Sequence, residues 1–198
     1  DSVASRGLGD VYKRQIFLTT DHPNGAPFTS YPHLIKLLMD KTFRDNLLDQ
    51  MSVDISKHTI LKDIKREYTL SEIATMTRSA PARILGLKNK GSISKDADAD
   101  ITVYDSSIND IEEMFANPTH VIKDGSVVVK NGEIKKYTWG KTQVVKPEYD
   151  PTIEKKLKKY FDKYHTIALP NYTISNDEMS EVIGSDINEV KCVRRRIS

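Results

Sequence analysis

The spacing of apolar residues changes along this 198-residue chain, and each change marks a different kind of element. Ile16-Phe17-Leu18 is a short unbroken apolar run, stopped by Pro23 and Gly25. That is the pattern of a strand buried on both faces, as in a parallel sheet, and it predicts a strand over 16–20. Leu34, Ile35, Leu37 and Leu38 then recur at helical spacing within 31–39, behind a start signal of Ser30 and Pro32; residues 43–51 continue as a further turn or two of helix. Thr69-Leu70-Ser71-Glu72 has the form of a capping box, with Thr69 as N-cap and Ile73, Ala74 and Met76 on the buried side. Residues 79–86 predict a second short helix, with Pro81 near its first turn and Gly86 as its stop.

From residue 91 the pattern becomes one of strands and tight turns. Asp100 to Asp105 alternates, Val121 to Lys130 folds back at Asp124-Gly125, and Asn131-Gly132 turns the chain again into Glu133-Ile134. Asp-Gly and Asn-Gly between apolar runs are strong hairpin signals, so this region predicts a small antiparallel sheet. Lys141 to Pro151 reads as a linker. Ile153, Leu157, Tyr160, Phe161 and Tyr164 then mark one face of a helix whose other face is mostly lysine. Glu154 and Asp162 interrupt that lysine face and no aromatic lies among the lysines, which makes it a solvated face, not a nucleic-acid platform.

Composition narrows the class. With 38% hydrophobic and 29% charged residues the chain can bury a core. No apolar run approaches the roughly 18 residues that cross a bilayer, and no signal-peptide pattern opens the chain, so no membrane association is expected. Cys192 is the sole cysteine, which excludes an internal disulfide and fits a cytoplasmic location. A formal charge of +2 gives no reason to expect nucleic acid as a partner. Residues 1–15 lack either periodicity, and Ser5 to Gln15 resembles a translated adapter remnant of the kind found at the ends of metagenome-derived proteins. The biological sequence would then start at Ile16, inside a domain, because a buried parallel strand needs neighbours. No role is assigned to the basic end, Val193 to Ser198.

Candidate chemistry centres on Asp21, at the end of the first apolar run. In an α/β barrel the C-terminal strand ends form the rim where catalytic side chains gather. The alternative is that Asp21 caps the turn through its own side chain, as Asp often does before Pro or Gly. The histidines His22, His33, His58, His120 and His165 show no metal-ligand spacing among themselves and read as loop or surface residues. Lys57, Lys62 and Lys65 read as solvated charge.

Several separated stretches carry a family resemblance. Thr20-Asp21-His22-Pro23 resembles the last-strand motif of the amidohydrolase superfamily, in its dihydroorotase and hydantoinase branch. Pro81 to Leu87 followed by Gly91 to Tyr104 is similar to that superfamily's passage from its last barrel helix into an accessory β-sandwich, and Val121 to Ile134 is similar to the hairpin completing the sandwich. More specifically, Phe17 to His33, Arg66 to Arg78 and Ala168 to Tyr172 resemble the hydrolase-subunit family of formylmethanofuran dehydrogenases, over Ile16 to about Ser180.

That resemblance implies a fold class of α/β plus β: the C-terminal end of a TIM-barrel amidohydrolase domain over 16–88, an accessory antiparallel β-sandwich over 89–145, and an extension over 146–198. It implies a hydrolase subunit that interconverts formylmethanofuran with formate and methanofuran at a two-zinc site. Tungsten or molybdenum pterin and iron–sulfur clusters would be carried by partner subunits of the complex. Asp21 would bind one zinc and act as proton acceptor, with His22 and Asn24 on the rim loop as substrate-binding candidates. The family's His-x-His pair, carboxylated lysine and two further histidines have no counterpart here, so the chain by itself is expected to be inactive and to bind no zinc. Lysine- and isoleucine-rich usage leans toward a methanogenic archaeon. The alternatives are a bacterial formyltransferase/hydrolase complex, a dihydropyrimidinase-like amidohydrolase, or a subunit-docking module without chemistry of its own.

Overall fold

The computed structural model describes residues 15–184 and 187–192. The expected foreign segment, apart from Gln15, and the basic end from Val193 lie outside the described residues. The chain divides into two units, one through Tyr137 and one from Thr138.

The first unit is built from helices followed by a sheet. Helix α1 (Tyr31–Met39) starts with Pro32 in its first turn, where a missing N–H costs nothing. Asp40 ends it and caps α2 (Lys41–Gln50), its side chain accepting from the Phe43 N–H at 2.8 Å. A short α3 (Val53–His58) follows. The predicted capping box opens α4 (Leu70–Ala74): Thr69 accepts from the Glu72 N–H, and Glu72 accepts from the Thr69 N–H.

The expected second short helix is not separate. A π-turn over Thr75–Ser79 joins α4 directly to α5 (Ala80–Ile84). Pro81 accounts for it physically. Pro lacks the N–H that would reach the Thr77 carbonyl, and its ring would crowd that carbonyl in a regular helix; the wider turn makes room. Gly86, at φ +72°, stops the helix as the sequence predicts. Ile35, Leu48, Ile73, Met76, Ala80, Ala82 and Met114 form the buried core, drawn from the faces of α1, α2, α4, the π-turn, α5 and α6 (Ile111–Ala116). Helices α1 and α6 pack together, pinned by Lys36 to Asp110 and by His33 Nδ1 to Glu112 at 3.2 Å.

The predicted antiparallel sheet is present, in the order β1 (Ile101–Val103), β2 (His120–Lys123), β3 (Ser126–Lys130), β4 (Glu133–Ile134). Both hairpin turns place two residues in the left-handed region, Asp124 and Gly125 at φ +51° and +75°, Asn131 and Gly132 at +50° and +76°. This is what two-residue turns matching strand twist require. The register shifts at a bulge between Val121 and Ile122. Asp100, just before β1, ties the sheet together, accepting from Lys90 at 2.6 Å, Lys123 at 2.8 Å and the Asp124 N–H at 2.9 Å. Burial pulls its pKa upward, but these donors outweigh burial and hold the carboxyl well below the usual range.

One expectation fails in this unit. Ile16 to Thr20 forms no strand; Ile16 and Phe17 are about half exposed, and no ladder partner occurs among the described residues. A parallel strand is held by neighbours distant in sequence, and none of the described residues supplies one.

In the second unit, the stretch read as a linker contains β5 (Thr142–Pro147), paired in parallel with β6 (Ile187–Cys192). Parallel pairing needs a long crossover, and the intervening helices α7 (Ile153–Tyr164) and α8 (Asn176–Ile183) provide it. A second capping box, Ser175 with Glu178, starts α8. The predicted face of α7 is correct. Phe161 stacks on His165 at 4.5 Å and meets Tyr172 edge-on, while Lys163 Nζ lies 4.9 Å over the Tyr164 ring, so an aromatic does lie beside the lysines. No helix among the described residues is long and apolar enough to cross a membrane.

Candidate active site

Asp21 sits in a tight loop that the backbone closes unaided. The Gly25 N–H donates to the Asp21 carbonyl and the Ala26 N–H to the Thr20 carbonyl, both at 2.9 Å. Asp21 itself adopts φ +51°, a left-handed conformation that Asp tolerates better than most residues. Its N–H is directed at the Thr19 hydroxyl, 3.3 Å away. The Asp21 side chain is exposed and, among the described residues, accepts no hydrogen bond and forms no ion pair. The turn-cap alternative requires that carboxylate to bond the loop's own N–H groups, and the loop uses carbonyls in its place.

The neighbours are placed differently. The His22 ring stacks on Phe28, centroids 4.1 Å apart and 20° between planes, which fixes the imidazole beside the loop. Asn24 is exposed at the loop tip and makes no side-chain hydrogen bond among the described residues. Thr20 is 5% exposed, and its hydroxyl finds no partner among the described residues.

Two cavities lie near the chain leading into this loop, not at the loop itself. One, of about 510 Å³, is lined by Phe17, Leu18 and Thr19 on one side and by Tyr31, Arg78 and Phe115 among others. A larger one, of about 820 Å³, lies between the α4–α5 stretch and β1. Neither is lined by Asp21, His22 or Asn24. Arg78 borders both, donating to the Thr77 carbonyl at 3.1 Å and lying 3.5 Å from the Tyr104 hydroxyl. Sequence reasoning missed it, because a single arginine in a helix carries no distinguishing signal. The same holds for Arg44, buried with its guanidinium donating to the carbonyls of Leu37 and Ile64 at 3.1 and 2.9 Å.

The histidines do not converge on Asp21. His33 lies on α1 and pairs with Glu112, His58 ends α3, and His120 begins β2. Among the described residues no group of three or more His, Cys, Asp or Glu could hold a metal ion. A zinc site needs about four ligands, so the residues of this chain do not by themselves fit one.

Comparison with known proteins places this geometry. The profile of the family described as "Amidohydrolase family" matches residues 14–129, more than half of the chain. The chain belongs to the amidohydrolase family. Within it, the chain is similar to the A subunit of the formyltransferase/hydrolase complex Fhc of Methylorubrum extorquens, at 36% identity over 175 residues, 88% of this chain and 32% of that protein. It is also similar to protein FwdA of Methanocaldococcus jannaschii, at 35% over 190 residues, 88% of this chain and 34% of that protein. The crystal structure of the FhcABCD complex from Methylorubrum extorquens with methylofuran contains a matching chain: TM-score 0.78 and 34% identity over 91% of this chain and 33% of that one. This member of the family thus looks like the hydrolase subunit of formylmethanofuran dehydrogenase, and it spans about a third of the length of the curated relatives it matches.

Proposed function

We propose that this chain contributes the last-strand carboxylate and the accessory sheet of a hydrolase subunit that interconverts formylmethanofuran with formate and methanofuran. The helical stretch from Tyr31 to Ile84 is then the end of a TIM-type barrel, and the β1–β4 sheet belongs to the accessory β-sandwich. The observation that carries this reading is the Asp21 carboxylate, exposed at the mouth of a self-closed loop and unengaged among the described residues. Membership of the amidohydrolase family and similarity to the Fhc protein and FwdA support it.

The chemistry needs such a group. Hydrolysis of an N-formyl amide adds water to the formyl carbon and expels an amine, so one proton must leave the water and one must reach the departing nitrogen. Asp21 accepts the first at its carboxylate oxygen and delivers it to the nitrogen. His22, held by Phe28, and Asn24 border the substrate. When bound, two zinc ions would supply an activated water. Asp21 is the one ligand this chain offers, and the remainder must come from outside the described residues. The other subunits of such a complex, with tungsten or molybdenum pterin and iron–sulfur clusters, belong to the same proposal, as does a cytoplasmic setting in a methanogen.

Replacing Asp21 by Asn in the complete subunit keeps the size and removes the proton acceptor. Turnover of N-formylfurfurylamine should fall roughly 10²- to 10⁴-fold, more than KM changes, with zinc content measured alongside. A variant keeping a third or more of normal turnover at full zinc content would remove Asp21 from the mechanism.

A specific observation favours a second reading for the part from Thr138. Helix α7 leaves Ile153, Leu157, Tyr160 and Tyr164 between 40% and 61% exposed along one stripe. An apolar stripe of this kind fits docking to a partner subunit, and it is compatible with catalysis by the first unit.

A further inference from the structure

The glycines of this chain serve two different ends, and Gly25 stands apart. Gly86, Gly125, Gly132 and Gly184 have positive φ and open space where a side chain would go, so they are there for their backbone conformation. Gly25 has no positive φ, and any residue could adopt its backbone. What it lacks is room. A Cβ at Gly25 would stand 2.6 Å from the Thr20 carbonyl oxygen and 3.2 Å from the Asp21 Cβ.

We propose that Gly25 is a positioning residue for Asp21: its bare Cα is the surface against which the Thr20–Asp21 segment is seated, and this seat fixes where the carboxylate is carried. The inference rests on the reading of Asp21 as the working carboxylate. Two features make the seat a device for aiming and not merely a tight contact. The atom a methyl group would strike first is a backbone oxygen, which cannot rotate away as the end of a flexible side chain can. That same oxygen accepts from Ala26, and the Asp21 carbonyl accepts from Gly25, so opening the clasp at 25 drags both ends of the Asp21 residue with it. The loop is wound so that its two hydrogen bonds, the left-handed Asp21 and the missing side chain all depend on one another. A displacement of about 1 Å at a reacting group is enough to cost on the order of 10²-fold in rate.

The test is Gly25→Ala in the complete subunit, compared with Asp21→Asn and with Gly140→Ala, a glycine with open space around it and no positive φ. For Gly25→Ala we expect kcat on N-formylfurfurylamine to fall roughly tenfold or more with KM within about twofold, and less zinc to be retained after dialysis against buffer. Gly140→Ala should leave all three unchanged. If Gly25→Ala folds poorly, the monodisperse fraction from gel filtration in the cold is the sample measured, so that loss of folded protein is not counted as loss of rate. Normal kcat and zinc in that fraction, with Asp21→Asn inactive, would overturn the positioning role and leave the Asp21 reading standing. An active Asp21→Asn enzyme would overturn both.

Discussion

Asp21 and Asp124 share a backbone conformation and almost nothing else. Each follows an apolar run, each has φ +51°, and each has a glycine close behind it in sequence. Around Asp124 the chain folds back on itself, β2 pairs with β3, and the aspartate N–H is spent on the Asp100 carboxylate within a lysine-rich network. Around Asp21 the preceding run finds no strand partner among the described residues, the loop closes on its own carbonyls, and the side chain faces outward unengaged. Identical local geometry serves a turn in one place and leaves a carboxylate available in the other. The difference lies in whether the partner is a few residues away or distant in the chain.

That contrast can be broken by substitution. The largest effect should come from the core that is complete. Ile73, 2% exposed, should cost about 2–5 kcal/mol as Ala. Ile16, 51% exposed, should change stability by less than about 0.5 kcal/mol in this chain. Urea midpoints of the two variants measure the gap, and equal losses would mean that the first apolar run is packed after all. Next is the hairpin. Gly132→Val forces a β-branched residue to φ +76° and should cost about 1–3 kcal/mol by the same measurement.

Smaller, and dependent on pH, is the Asp100 network. Its carboxyl is depressed by Lys123, Lys90 and the Asp124 N–H against the upward pull of burial, so its contribution is present above the unfolded carboxylate pKa and is lost as pH falls toward the lower folded value. Asp100→Asn should lower stability by about 1 kcal/mol near neutral pH, a modest figure because the network is partly solvated. The deficit should shrink as the medium is taken below about pH 4. A deficit that grew on acidification would show that the stabilising partner is not the ionised Asp100.

How far the sequence revealed all this follows the same divide. The β2–β3 and β3–β4 hairpins, the Thr69 capping box and the apolar face of α7 were legible because their signals and their partners lie within a few residues. The β5–β6 pair was not, since its strands are separated by both α7 and α8 and Pro147 made β5 read as linker. The π-turn was hidden because two helical patterns on either side of Pro81 look like two helices. Ile16 to Thr20 has the composition of a buried strand without the contacts to form one here. At the site, Asp21 could be singled out by its position after that run. The close fit at Gly25 could not, because steric fit against a backbone oxygen leaves no mark on composition.

The most direct test sets the two aspartates against each other. Glycine accepts φ +51° at either position without strain, so Asp21→Gly and Asp124→Gly each delete a side chain while leaving the backbone conformation accessible. In the complete subunit, turnover of N-formylfurfurylamine should fall roughly 10²-fold or more for Asp21→Gly and stay within about twofold for Asp124→Gly. Comparable turnover in both variants would contradict the assignment of Asp21 as the carboxylate that moves the proton.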